Sequence, residues 1–172
     1  MASNNFKLGI DASNISVGGG LTHLVELLNA ATPYKYGFKK VIVWASQSIL
    51  AQINDQPWLK KCSHKSLEKN LFHRALWQRN TLGLEVQKEN CDLLFVPGGS
   101  FVTDFRPIVT MSQNLLPFEW RELRRYGFSL LTLKWLLLRY SQSKLFKKEK
   151  NYSWGKCANE TFKFLGSFIE KK

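Results

Sequence analysis

Acidic residues, cysteine and long apolar runs are all scarce in this sequence, and each shortage removes a class of protein. Only 13 acidic side chains stand against 25 lysines and arginines, a formal charge of +12. An excess of that size points to an anionic partner: a phosphorylated ligand, a nucleic acid or an anionic lipid surface. The three cysteines, Cys62, Cys91 and Cys157, are widely spaced and form no CxxC pair. Neither a disulfide framework nor a zinc site is expected from them. No apolar run approaches the ~20 residues of a membrane-spanning helix, and 11 glycines without a period exclude a collagen-like chain. The start, MASNNFKLGID, has no basic stretch followed by a long apolar core. No secretory signal is therefore expected, and the chain reads as a cytosolic, reduced protein.

What is present is core material. The 172 residues are 44% hydrophobic and 13% aromatic, enough for one ordinary domain and too little for two full-sized ones. Disorder is thereby excluded as the main state.

The order of elements follows from pattern. FKLGID (Phe6 to Asp11) is a short apolar run ending in an acid, followed by SNISVGGG and then Leu21, Leu24, Val25 and Leu28 at helical spacing. That is strand, glycine-rich turn, helix. VIVWA (Val41 to Ala45) has the near-continuous β-branched character of a strand buried on both faces. Ser46 is placed to cap a short helix through Ile53. From Leu67 onward, Leu71, Ala75, Leu82 and Val86 mark one face of a longer helix, interrupted by Gly83. Further strands are expected at Leu93 to Val96, stopped by Pro97-Gly98-Gly99, and at Ile108 to Met111. Strands alternating with helices predict an α/β domain with a mostly parallel sheet and helices on both faces. Ligands in such sheets bind beyond the carboxyl ends of the strands, where the loops SVGGG, PGGS and SQN fall.

Glu119 to Lys150 differs in character. It holds nine basic residues and three acids, interleaved with Trp120, Tyr126, Phe128, Trp135, Tyr140 and Phe146. It reads either as a core helix with a solvated basic edge or as a helix lying in a membrane interface, cations toward lipid phosphates. After KKEK, Ser153 is placed to cap a helix whose broad apolar face carries Trp154, Cys157, Ala158, Phe162, Leu165 and Phe168.

Candidate site residues follow from the same placement. Gly18, Gly19 and Gly20 precede a helix, where backbone N–H groups can approach an anion. Their spacing is neither GxGxxG nor GxxxxGK[ST], so a tight turn is as good a reading as a phosphate cradle. Asp11 ends the first strand, where it would either bind a ligand hydroxyl or hold the loop amides. His23 lies close enough in sequence to reach an anion or a reacting hydroxyl. Asn114 and Glu119 are acceptor-hydroxyl candidates at the cleft edge, although Glu119 would equally serve the first turn of the basic helix. Arg121, Arg124, Arg125 and Lys134 would contact phosphate or an anionic membrane, or merely solvate a helix. His64 and His73 have no companion at ligand spacing and read as surface histidines. No Asp-x-Asp motif occurs, and neither a metal nor a cofactor is implied.

Four segments, IDASNISVGGGLTHLVELLN, VIVWAS, CDLLFVPGGSF and VTMSQNLLPFEWRELRRYG, together resemble the amino-terminal half of bacterial GT-B glycosyltransferases of the group 1 type. The resemblance covers about the first 148 residues. It implies a Rossmann-like domain at 1–148 that binds a lipid-linked or saccharide acceptor, in cell-surface polysaccharide synthesis. Residue by residue, Gly18 to Gly20 would match the loop near the donor phosphates, and Asn114 to Glu119 the acceptor side of the cleft. After QSKLFKK the pattern departs. Residues 151–172 resemble the family's last helix, which crosses back onto the amino-terminal domain, as if an internal deletion had removed the nucleotide-sugar domain. The resemblance therefore implies weak or no donor binding, little transferase activity alone, and an exposed interdomain face prone to self-association. A non-enzymatic module that binds acceptor or a membrane surface, peripheral at the inner face of the cytoplasmic membrane, is the alternative expectation. Nucleic acid is not an expected partner, because only the pI of about 9.8 suggests one.

Overall fold

The computed structural model describes residues 5–98, 101–111 and 153–169. Five strands form one all-parallel sheet in the order β3-β2-β1-β4-β5. They are β1 (Phe6–Asp11), β2 (Phe38–Trp44), β3 (Leu59–Cys62), β4 (Leu93–Val96) and β5 (Ile108–Thr110). The α-helices among the described residues are α1 (Gly19–Asn29), α2 (Gln47–Leu50), α3 (Leu71–Trp77), α4 (Gly83–Lys88) and α5 (Trp154–Ile169). The described residues form a Rossmann-like α/β domain with the last helix packed back on it.

Side-chain alternation sorts the strands between two cores. Leu8, Ile10, Val41, Val43, Leu93 and Phe95 face the layer of α1 and α5. Ile42, Trp44, Leu94 and Val96 face the layer of α3 and α4. Both faces are thus apolar, which is why VIVWA and LLFV read as nearly unbroken runs. Gly9 lies between the layers for a steric reason. A Cβ there would come within 3.0 Å of Trp44 Cζ3 and 3.2 Å of Leu94 Cδ1, so the absent side chain makes room for the indole.

The last helix docks through most of its expected face, although Phe168, expected on that face, is 46% exposed. Ser153 Oγ accepts the Lys156 N–H at 3.2 Å, a cap of the first turn. Ala158, Phe162 and Leu165 are buried in the same core as Leu24, Leu27 and Leu28 of α1. Phe162 meets Phe38 edge-on, ring centroids 6.0 Å apart.

Three local features depart from the sequence reading. LKKC forms an edge strand, β3, that was not expected; Lys60 and Lys61 hide its period, and lysines are common on edges that must resist pairing. The helix expected from Leu67 begins at Leu71, capped by Asn70, whose Oδ1 accepts the His73 N–H at 3.2 Å. It then passes through a π-turn, Gln78–Leu82, before α4. Trp77, Gln78, Leu82 and Val86 are buried, while Leu71, the first residue of α3, stays 70% exposed. The helix after Ser46 closes at Leu50 rather than Ile53. Its Gln47 N–H is taken by Glu68 Oε1 at 2.6 Å, and Ser46 Oγ pairs with Ser48 Oγ.

Candidate functional site

The sheet order reverses at β1, which is flanked by β2 and β4. In open α/β sheets the crevice beyond the carboxyl ends of such strands is where ligands bind. Two loops meet there. A Cβ on Gly98, after β4, would lie 3.7 Å from Asn14 Cβ and 4.0 Å from Ile15 Cγ1, in the loop after β1.

Asp11 anchors that loop. It is 1% exposed; its Oδ1 accepts the Ser13 N–H at 3.0 Å and its Oδ2 accepts Gln78 Nε2 at 2.5 Å. Gln78 Nε2 also donates to Ser13 Oγ at 3.0 Å, and its Oε1 accepts Asn14 Nδ2 at 3.4 Å. Arg74 Nη1 reaches the Ser13 carbonyl at 3.3 Å, and Arg74 Nε holds the Lys69 carbonyl at 2.9 Å. Burial pushes the Asp11 carboxyl above its ordinary range, opposed by the hydrogen bonds from Ser13 and Gln78. Of the two roles open to Asp11 in the sequence, the geometry displays the holding of loop amides.

The glycine turn completes the rim. Gly18 is the N-cap residue of α1 with φ +83, a backbone state that favours glycine. Its carbonyl accepts the Leu21 and Thr22 N–H groups at 3.0 and 3.2 Å. Among the described residues no side chain caps α1, and no acid lies in its first turn. Among the described residues, a Cβ on Gly18 or Gly19 would meet nothing within 4 Å, whereas Gly20 is half-buried. Room for an approaching group therefore lies in front of a helix N-terminus, which carries partial positive charge.

His23 is turned elsewhere. Its Nε2 lies 3.6 Å from Cys157 Sγ, and its ring meets the edge of Trp154 at 5.6 Å. Burial between α1 and α5 lowers its pKa. The cysteines carry no disulfide, and burial pushes the Cys91 thiol up to about 12. Among the described residues no group of three or more His, Cys, Asp or Glu could hold a metal. Asn114, Glu119, Arg121, Arg124, Arg125 and Lys134 lie outside the described residues.

Gln78, Ser13 and Arg74 escaped the sequence reading. Ser13 had a local signal, because Asp-x-Ser after a strand favours an Asx turn. Gln78 had none: it meets Asp11 across 67 residues.

No family model, no curated protein and no solved structure matches this chain. Among the described residues no helix is long and apolar enough to cross a membrane.

Proposed function

We propose that this chain is the acceptor-side lobe of a GT-B-type glycosyltransferase, holding a lipid-linked or saccharide acceptor at the carboxyl ends of β1 and β4. The observation that carries the reading is an uncapped, open glycine turn at the point where the order of the parallel sheet reverses. The sequence resemblance over the first 148 residues supports it, as does a terminal helix seated on the α1 face.

Glycosyl transfer needs the leaving diphosphate neutralised and the sugar held in line with the acceptor hydroxyl. In the family that the sequence resembles, the second lobe supplies most of that. On this reading the chain by itself binds nucleotide sugar weakly and turns over little. The lobe's own residues set the shape of the acceptor crevice: Asp11 and Gln78 lock the first loop, and Gly98 places the second beside it. Attachment to an anionic membrane surface would come from the basic, aromatic segment at 119–150.

The test is incubation of the chain with a panel of nucleotide sugars and a bacterial lipid extract, followed by liposome flotation without donor. The proposal expects negligible turnover but retention of lipid-linked saccharide, and flotation that depends on anionic lipid and weakens with salt. Turnover at ordinary enzyme rates overturns the incomplete-lobe reading. Failure to retain any lipid-linked saccharide overturns the acceptor reading.

A further inference from the structure

A groove of about 400 Å3 opens between α4 and the loop joining β4 to β5, at the lower end of the range for small-molecule sites. None of its lining residues belongs to the glycine turn or to the Asp11 network. We infer that this groove is a second ligand site, for a phosphorylated polyol of sugar-phosphate size. The inference stands independently of the glycosyltransferase reading.

Two arginines in the wall supply the anion-binding groups. Arg106 is preorganised: its Nη1 donates to the Thr103 and Phe105 carbonyls at 3.1 and 2.7 Å, and its guanidinium lies 5.7 Å from the Phe101 ring centroid. Arg79 enters from the π-turn. No ion pair joins either guanidinium to an acid among the described residues. A guanidinium fixed by other bonds loses less freedom when it grips phosphate, and its planar fork suits phosphate oxygens.

The rest of the wall argues for hydroxyls on the ligand. Asn80 and Gln87 offer amides, and exposed Asp104 offers a carboxylate. A carboxylate repels a bare phosphate but accepts from hydroxyl groups. Leu84, 65% exposed, and Phe105 give an apolar side to the groove. Gly83 also lines the groove, beside Thr103. The π-turn itself fits, since such turns recur at functional sites. Here it sends Gln78 inward to Asp11 while Arg79 and Asn80 stay exposed.

Calorimetric titration of the whole chain at fixed ionic strength with glucose 6-phosphate, inorganic phosphate and glucose tests the inference. Glucose 6-phosphate should bind at least about tenfold tighter than either of the others, and Arg79→Gln and Arg106→Gln should each weaken it about tenfold. Lys163→Gln, which removes an exposed charge from α5, should leave it unchanged. Asp104→Asn should strengthen inorganic phosphate and narrow the preference for the sugar phosphate, a gain that misfolding would not produce. Equal weakening by Lys163→Gln, indifference to both arginine variants, equal affinity for bare phosphate, or no saturation below about 10 mM glucose 6-phosphate each overturns it.

Discussion

Replacing Phe162 by alanine tests whether α5 belongs to the core or merely lies on it. Phe162 is 1% exposed and packs edge-on against Phe38, which is fully buried. Removing the ring forfeits its transfer free energy, about 1.5–3 kcal/mol. It also forfeits an aromatic pair worth about 0.5–1.5 kcal/mol. With the cavity left behind, the expected loss is about 3–5 kcal/mol. At a urea dependence of about 2 kcal/mol per molar, the unfolding midpoint should fall by about 1.5–2.5 M. Phe164 is the internal control: on the same helix and 53% exposed, it touches Phe168 rather than the sheet. Phe164→Ala should cost less than about 1 kcal/mol. Circular dichroism through urea titration reads both variants. Equal midpoints for Phe162→Ala and Phe164→Ala would refute the docking of α5.

Gln78→Leu removes the donor to Asp11 Oδ2 and should cost about 2–3 kcal/mol at neutral pH. Because burial already raises the Asp11 pKa, protonation relieves that deficit, so the difference from the parent protein should shrink as pH falls toward the ordinary aspartate range. A constant deficit across the acid range would count against a charged, buried Asp11. The His23 pKa is lowered by burial, so the unfolded chain takes up the proton first. Stability should therefore decline as pH drops below 6.5, and urea midpoints for His23→Gln should decline less steeply; parallel slopes would contradict this. Gly9→Ala places a methyl 3.0 Å from Trp44 Cζ3 and should destabilise by about 1–3 kcal/mol in the same titrations. An unchanged midpoint would mean that the indole has slack.

The parallel sheet was legible because VIVWA and LLFV carry their burial on both faces in their composition. The docking of α5 was legible for a related reason, its apolar residues recurring at helical spacing. β3 was not, since a four-residue edge strand holding Lys60 and Lys61 has no apolar alternation to read. The π-turn was equally hidden, because a change in hydrogen-bond phase leaves no mark on residue type; Leu71 misses the core because it is the first residue of α3. In the crevice, Asp11 and the glycine turn were found because strand end and helix start are local signals. Gln78 was invisible because its role depends on a contact across 67 residues. His23 sits in α1, which begins at Gly19, but helical phase points it at α5.

The most direct test of the acceptor-lobe proposal is a backbone-amide NMR titration of the chain with a lipid-linked saccharide in detergent. The proposal predicts saturable shifts clustered at residues 12–20 and 97–98, where the loops after β1 and β4 meet. Shifts confined to other surfaces, or none at about 1 mM ligand, would contradict it.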